Sequence, residues 1–389
     1  MSGRRIPEID LRDQDGSVHD QLSGSLLRSL QSTYALGEWL EWWHIRRGAS
    51  NDSFFITTTR GDFVLRRSHE RKTEAGMEFE VKLLEHLRLR GYPAPRVIPT
   101  RRGQSYVHIG GQPRAPGNLG SYFLLMEWIP GRGYDPGNPA HLREAGRALA
   151  RYHRAVDDFS ARFRPEGRPV PAALEWSGPS VLSAFARIAD AFLDAEGKRR
   201  LTRACSYLWS QFIRVPEALS GVQATLPRLV IQASFGPSAL VYDGDAVAGV
   251  VDFDQAGYDI RALDLAYALQ AFAGIEPAAD TPSHVGFDLE LCARMMAAYA
   301  ELEPLHPNEL QALPLVFRAQ RLVTVMSTTS TFLRRHEAGG SGVRSVERIV
   351  DVAGTEAEQL RWLEEQELAL RHALSSALVT PAQADSRKG

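Results

Sequence analysis

The segment Leu229–Ala266 constrains the fold more than any other part of the sequence, because it alternates short apolar runs with turns. The runs are rich in Val, Leu and Ile and have the length of buried strands. Between the second and third runs lies Asp243–Asp245, whose Asp and Gly residues tolerate the positive φ that a tight hairpin loop requires. The third run leads directly into Asp252–Asp254. This order predicts a hairpin that presents carboxylates at a strand end, where they can meet a metal-bound phosphate.

Length and composition set wider bounds on the class of protein. With 389 residues, 44% hydrophobic and 24% charged, the chain can bury a large core and lacks the composition of a disordered protein. A formal net charge of -2 gives no overall attraction to nucleic acid or to acidic membranes. The first ten residues contain no apolar signal core, and Cys205 and Cys292 form no CxxC. We therefore expect a cytoplasmic protein with neither nucleic acid nor a membrane as its partner.

Strand patterns come first along the chain and helical patterns follow. Aromatic and β-branched runs broken by Gly-containing turns predict a three-stranded meander over residues 39–67. A helix at Glu78–Arg90 and two strands within residues 97–127 follow it. Residues 160–178 are rich in Pro, Arg and Gly and predict a loop. Apolar residues at helical spacing predict helices at His141–Val156, Ser180–Ala195, Lys198–Arg214, Phe287–Leu302, Glu309–Ser330 and Val343–Leu374.

These patterns predict an α+β protein of two lobes. We expect an N-terminal extension over residues 1–34 and a small β-rich lobe over residues 35–128. A larger helical lobe would follow over residues 129–375, carrying the hairpin within residues 229–254. Residues 376–389 are polar and are expected to form a tail.

The segment Leu229–Ala266 resembles the catalytic core of the aminoglycoside phosphotransferase, homoserine kinase and choline kinase group. That family has His-Gly-Asp, then Asn after four residues, a hairpin, Ile-Asp-Phe and a later Asp-Leu-Ala. Asp252-Phe253 and Asp264-Leu265-Ala266 match the second half of this pattern. The resemblance extends over roughly residues 35–330. It implies a bilobal protein-kinase-like fold with a β-rich N-lobe that binds nucleotide and a helical C-lobe.

The resemblance also implies roles for residues before the hinge. Gly48 and Asn51 match a Gly-x-x-Asn loop over the nucleotide phosphates, although a glycine in a hairpin is more often only a turn. Arg66 stands where a Lys or Arg faces the phosphates. Glu80 stands where a carboxylate pairs with that cation and aims it. A solvated Glu on a helix face is an equal alternative for Glu80.

Further cofactor contacts are implied at the hinge and at the strand end. Met126 and Trp128 lie in the last N-lobe strand and the hinge, which meets the adenine base in the family. Asp252 occupies the position of the Asp that holds magnesium, and Asp254 could assist it. Magnesium usually takes one or two carboxylates together with water and phosphate oxygens. The resemblance thus implies ATP or another nucleotide, with Mg, as the cofactors.

The first half of the catalytic pattern is altered in this chain. Gln232 stands at the position of the His, Ser234 at that of the catalytic Asp, and Ala239 at that of the metal-binding Asn. A serine hydroxyl is no base near neutral pH, and losing a positioned base costs roughly a hundred- to ten-thousandfold in rate. Ala239 has no side-chain oxygen to offer a metal. Gln232 can still form hydrogen bonds and preserve the shape of the loop.

Two residues whose side chains could act in catalysis are expected to have structural roles instead. His153 lies on the apolar face of a predicted helix, where a lone histidine is usually packed and not catalytic. Asp264 precedes an apolar helical run and is expected to cap that helix.

Two functions are consistent with this sequence. In the first, a pseudokinase-like protein binds a nucleotide or small metabolite and works as a regulator, chaperone or scaffold with a protein partner. In the second, an active ATP-dependent kinase phosphorylates a small-molecule hydroxyl with a base from elsewhere, since phosphoryl transfer depends mainly on positioning. A different group transfer on the same fold is a third alternative. The simultaneous changes at Gln232, Ser234 and Ala239 favour the first function. Residues 157–228 and 270–345, which would select the acceptor, contain no interpretable motif.

Overall fold

The chain alternates between short strands and long helices, with the strands concentrated before residue 128. The computed structural model describes residues 24–45, 51–69, 72–110, 120–160, 170–275, 285–337 and 342–376. The strands are β1 (Trp39–Ile45), β2 (Asp52–Thr58), β3 (Gly61–Arg67), β4 (Val107–Ile109), β5 (Ser121–Glu127), β6 (Arg228–Ile231), β7 (Leu240–Asp243), β8 (Ala246–Val250), β9 (Gly257–Ile260), β10 (Gly274–Ile275) and β11 (Gly286–Phe287). The helices are α1 (Gly24–Thr33), α2 (Glu74–Leu89), α3 (Pro139–Val156), α4 (Val170–Ala189), α5 (Ala195–Val222), α6 (Arg261–Ala273), α7 (Leu289–Ala300), α8 (Pro307–Glu337), α9 (Val343–Glu365) and α10 (Glu367–Ser376).

The first of two compact units is built on an antiparallel sheet. It comprises the described parts of Met1–Tyr134, Asp158–Pro165 and Leu240–Asp254. Within the described residues the sheet has five strands in the order β1-β2-β3-β5-β4. Phe54, Leu65 and Leu125 lie side by side on neighbouring strands and point into one core. The predicted meander over residues 39–67 corresponds to β1, β2 and β3.

Helix α1 belongs to the core of this first unit. Leu27 and Leu30 are buried in the same apolar cluster as Phe63 of β3. The sequence placed these residues in an extension over 1–34, whose described part is in fact packed. The spacing of the two leucines gives α1 one apolar face, which the sheet removes from water.

The hairpin of β7 and β8 also belongs to the first unit, although the sequence analysis assigned it to the helical lobe. Val250 N donates to Pro93 O at 2.8 Å, and Arg132 and Tyr242 form an isolated β-bridge. These main-chain hydrogen bonds join the hairpin to the rest of the first unit, because some amides of a short hairpin need hydrogen-bond acceptors that the hairpin itself does not supply. The strand predicted before it, β6, instead pairs with β9 in the second unit.

The second unit is helical and comprises the described parts of Asp135–Asp157, Glu166–Ala239 and Gln255–Gly389. One of its cores joins apolar residues of α4, α5, α8 and α9, including Phe185, Leu201, Phe332 and Val346. Helix α4 begins at Val170, so the loop predicted over residues 160–178 is wrong from that residue onward. The reason is apolar spacing: Leu174, Leu182 and Phe185 are buried along one helix face. None of the described helices combines the length and apolar character that crossing a bilayer requires.

Two helical glycines of the second unit offer a matched test of packing. A Cβ at Gly146 of α3 would lie 2.6 Å from Met295 O, whereas one at Gly354 of α9 would meet no atom within 4 Å. We expect Gly146→Ala to lower the free energy of unfolding by about 1–3 kcal/mol through overpacking. Gly354→Ala, the control, should raise it by about 0.5–1 kcal/mol through helix propensity. Urea unfolding followed by circular dichroism measures both, and equal effects would contradict this packing of α3.

Candidate functional site

A buried ion pair joins β3 and α2 in the first unit. Arg66 Nη2 donates to Glu80 Oε1 at 2.5 Å, and both residues are at most 5% exposed. Glu80 is therefore buried, and the alternative of a solvated helix residue does not hold. Burial alone would lower the pKa of Arg66, but the Glu80 and Asp254 carboxylates outweigh it, so that the pKa of Arg66 is raised. Such a pair fixes the guanidinium in one orientation.

A second cation, Lys72, joins the same carboxylate. Its Nζ lies 2.8 Å from Glu80 Oε2 and donates to the main-chain oxygen of Asp254 at 3.1 Å. The sequence analysis did not select Lys72. A signal existed, because Lys72 directly precedes Thr73, the N-cap of α2. A cation is electrostatically unfavourable at a helix N-terminus, so a lysine there suggests a carboxylate partner elsewhere.

The turn after β8 brings Asp252 and Asp254 together. Asp252 has φ of 69°, a left-handed conformation that is uncommon for a residue other than glycine and is enriched at functional sites. Asp252 is an exposed residue, but desolvation of its carboxyl group, and next to it the Asp254 carboxylate, raises its pKa to about 7, while Arg66 opposes the shift. Two carboxylates this close cannot both ionise freely. The turn therefore favours a shared proton or a bound cation.

Asn51 fixes the second carboxylate of this turn. Its Nδ2 donates to Asp254 Oδ2 at 2.6 Å, and its Oδ1 accepts from His69 N at 3.0 Å. The sequence analysis predicted Asn51 in a phosphate loop with Gly48, which lies outside the described residues. In the structure the side-chain amide of Asn51 donates its hydrogen bond to Asp254, the residue predicted to assist Asp252 in holding the metal.

The carboxylate pair could supply part of a metal site. Among the described residues, no group of three or more His, Cys, Asp and Glu side chains is placed to hold a metal ion. Asp252 and Asp254 offer hard oxygen ligands, which suit magnesium when phosphate oxygens and water complete its coordination. The residues thus fit a cation that arrives together with a phosphate ligand.

The predicted hinge residues occupy different environments. Met126 pairs with Val64 of β3 and also forms a bridge with Val97, so its main chain is engaged within the sheet. Trp128 follows the strand and donates its main-chain amide to Asp62 O at 3.2 Å. Its indole meets the ring of Phe55 edge-on, with 4.9 Å between centroids. Of the two, Trp128 alone lies beyond the end of β5.

In the second unit, one carboxylate holds the loop that contains Gln232 and Ser234. Asp264 accepts from Gln232 N at 2.8 Å and from Ala233 N at 2.9 Å. Gln232 Oε1 in turn accepts from Ser234 N at 2.9 Å, so the glutamine side chain preserves the turn as predicted. Ala233 has φ of 64°, a left-handed conformation that glycine adopts more readily.

The same carboxylate binds a buried histidine. His153 Nε2 lies 3.1 Å from Asp264 Oδ2, and its Nδ1 lies 2.7 Å from Tyr299 Oη. All three residues are buried, and burial raises the pKa of Tyr299 well above its ordinary value. His153 is therefore a packed residue, in agreement with the sequence analysis. The capping role predicted for Asp264 is wrong: the N-cap position of α6 is Ile260, and Asp264 serves the loop instead.

The remaining predicted positions of this loop carry little chemistry. Ser234 is half-buried and presents a hydroxyl, and Ala239 is buried and presents a methyl group. The first unit thus collects Asn51, Arg66, Glu80 and the two aspartates, while the second unit collects Gln232, Ser234 and their anchor Asp264. Lys72 and the anchoring role of Asp264 were the features that sequence reasoning missed.

Comparison with known proteins identifies relatives over most of the chain. A family model described as "Phosphotransferase enzyme family" (APH) matches residues 43–305. The homoserine kinase of Methylobacterium radiotolerans is 29% identical over 315 residues, covering 79% of this chain and 85% of the relative. The homoserine kinase of Hyphomonas neptunium is 27% identical over 298 residues, covering 77% of this chain and 84% of the relative.

Solved structures with the same fold include several small-molecule kinases. A microcompartment-associated aminopropanol kinase has a TM-score of 0.59 at 16% identity, covering 92% of this chain and 99% of its own. An amicoumacin kinase, solved in complex with AMP-PNP, Ca²⁺ and Ami, has a TM-score of 0.56 at 15% identity, covering 84% of this chain and 92% of its own. The predicted resemblance and the predicted α+β protein-kinase-like fold are confirmed.

Removing the Asp264 carboxylate should destabilise the second unit strongly. Asp264→Ala leaves two main-chain amides and His153 without their acceptor, and we expect a loss of about 3–5 kcal/mol in the free energy of unfolding. Tyr299→Phe, which removes only the hydroxyl bound to His153, should cost about 1 kcal/mol. Urea unfolding of both variants measures the difference. Similar costs would mean that Asp264 does not anchor the loop.

The raised pKa of Asp252 makes metal-free stability depend on pH. The folded protein keeps this proton up to about pH 7, whereas the unfolded chain loses it near pH 4, so stability falls as pH rises between them. Because Asp252 is an exposed residue, solvent screens much of this effect. Asp252→Asn, which carries no charge, should therefore stabilise the protein by on the order of 1 kcal/mol at about pH 8 and have little effect at about pH 4. Urea unfolding in EDTA tests this, with the exposed Asp243→Asn as control. A stabilisation independent of pH would contradict the assignment.

Proposed function

The chain belongs to the phosphotransferase enzyme family, and we propose that it binds ATP or another nucleotide with magnesium while lacking the family's usual catalytic groups. The single observation that carries this proposal is the contrast between the two units. In the first, Arg66 and Glu80 form a buried ion pair, and the Asp252–Asp254 turn brings two carboxylates together, one of them held by Asn51. In the second, a hydroxyl and a methyl group stand at the family positions for base and metal ligand.

The first unit's residues have specific tasks in this proposal. The Arg66 guanidinium, aimed by Glu80, binds phosphate oxygens. Asp252, assisted by Asp254, holds one magnesium ion, which when bound neutralises phosphate charge. Trp128 lines the site for the base beyond the end of β5. Met126 would contribute its side chain, since its main chain is engaged in the sheet.

The altered loop limits the chemistry that can follow binding. The Ser234 hydroxyl cannot take the proton of an acceptor alcohol near neutral pH, and Ala239 offers no ligand to a second metal ion. The Gln232 side chain and the Asp264 carboxylate stabilise the loop without supplying a base. We propose that this pseudokinase-like protein works in the cytoplasm as a binding, regulatory or scaffold subunit with a protein partner.

The small-molecule ligand is proposed from the relatives. The named kinases act on homoserine and aminopropanol, which share a hydroxyl and an amino group. We propose a small amino alcohol or hydroxy amino acid as the second ligand. A second candidate function, an active ATP-dependent hydroxyl kinase with a relocated base, is favoured by the similarity to homoserine kinases over 79% of the chain.

Ligand-induced stabilisation without turnover is the expected outcome. Mg-ATP or Mg-ADP should raise the melting temperature by several degrees, because a ligand at a hundredfold excess over Kd contributes about 2.7 kcal/mol. Arg66→Gln should abolish this shift. ATP consumption with homoserine, aminopropanol and aminoglycosides should stay at the background rate. Phosphorylated product from the unmodified chain would overturn the non-catalytic proposal and support the active kinase.

Restoring the missing groups should create activity. Ser234→Asp with Ala239→Asn supplies a carboxylate and an amide at the altered positions, and we expect phosphoryl transfer to rise by about a hundredfold or more over the unmodified chain. Ser234→Asn with Ala239→Asn is the matched control, since it differs only in the charge at residue 234. Equal rates in the two double variants would show that the carboxylate is not what the chain lacks.

A further inference from the structure

We propose that the Lys72 ammonium is a second phosphate-binding cation, which allows a nucleotide to bind this chain with little dependence on a divalent ion. The inference rests on the proposed nucleotide-binding function. It concerns Lys72, the residue that sequence reasoning did not select. It also goes beyond the roles that the family resemblance implies, in which a single cation, here Arg66, pairs with the carboxylate of α2.

The Glu80 carboxylate contacts two cations, Arg66 and Lys72. This carboxylate carries one negative charge but contacts two cations, with Arg66 on Oε1 at 2.5 Å and Lys72 on Oε2 at 2.8 Å. All three side chains are at most 8% exposed, so solvent screens them poorly. The Asp254 and Asp252 carboxylates also act on Arg66, so charge balance alone leaves no cation over. The Lys72 ammonium has three donors, of which one faces Glu80 and one the main-chain oxygen of Asp254, so a third can meet an anionic ligand.

The second argument is an unsatisfied donor in the same cluster. Arg66 Nε is buried and has no hydrogen-bond partner among the described residues. Buried donors are nearly always satisfied, and an unsatisfied guanidinium N–H is costly. An acceptor supplied by a ligand, such as a phosphate oxygen, would satisfy it. This donor of Arg66 therefore points to an anionic ligand beside the ion pair.

The third argument is the position of the ammonium. Lys72 Nζ donates to the main-chain oxygen of Asp254, two residues beyond Asp252, the proposed metal ligand. It therefore lies against the turn to which a metal-bound phosphate would come. Lysine holds its charge on a flexible stem with three donors, so Nζ can exchange one partner for a phosphate oxygen.

A merely structural role for Lys72 makes a different prediction. As a tether, Lys72 would fix Asp254 and hence Asp252 in place. Its loss would then weaken metal-dependent binding at least as much as metal-free binding. As a phosphate ligand, it would matter most when no divalent ion is present.

The test is the affinity of the full-length chain for ADP, measured by calorimetry in magnesium and in EDTA. We expect chelation to weaken ADP binding by less than about tenfold in the unmodified protein and by more than about a hundredfold in Lys72→Met. Lys82→Met, which removes an exposed lysine within α2, is the matched control and should behave like the unmodified protein. Lys72→Arg, which keeps the charge, should retain metal-free binding and serves if Lys72→Met fails to fold.

The outcomes separate this inference from the proposed function. A hundredfold loss on chelation in the unmodified protein would overturn the inference, as would equal losses in both buffers for Lys72→Met. In either case the nucleotide-binding function would stand. Absence of ADP binding to the unmodified protein in both buffers would instead overturn the proposed function, and the inference with it.

Discussion

One buried carboxylate, Asp264, determines the conformation of the loop on which any chemistry of this chain would depend. It accepts hydrogen bonds from two consecutive main-chain amides of that loop and contacts the imidazole of the buried His153. A carboxylate in such a place is stable only while its acceptor sites are filled, and the amides are stable only while it stays charged or hydrogen-bonded. The loop, α6 and α3 are therefore held together by one side chain.

Glu80 is the corresponding buried carboxylate of the first unit, but its partners are of a different kind. It is paired with two cations, Arg66 and Lys72, whereas Asp264 is paired with main-chain amides and a histidine. The phosphate binding that we propose rests on those two cations. The absence of catalysis that we propose rests instead on the side chains of Ser234 and Ala239.

The sequence predicted what depends on neighbouring residues. The strands over residues 39–67, the pairing of Arg66 with Glu80 and the placement of Asp252 at a strand end all follow from local periodicity and a short family pattern. The partners of Lys72 and Asp264 could not be predicted in this way. Lys72 donates to a residue 182 positions away, and Asp264 accepts from residues 31 and 32 positions before it. Composition carries no information about which distant amide a buried carboxylate will meet.

The left-handed backbone at Ala233 links the loop's shape to its lost chemistry. The related pattern has glycine at this position, and an alanine there costs about 1 kcal/mol because its Cβ crowds the backbone. The two amide bonds to Asp264 offset that cost, so the turn keeps a glycine's conformation without the glycine. Four positions of the family pattern differ in this loop, namely Gln232, Ala233, Ser234 and Ala239. A backbone that tolerates such substitutions can keep the fold of a family without keeping its reaction. A few substitutions in this loop could therefore lead to a catalyst, a sensor or an inert binding partner.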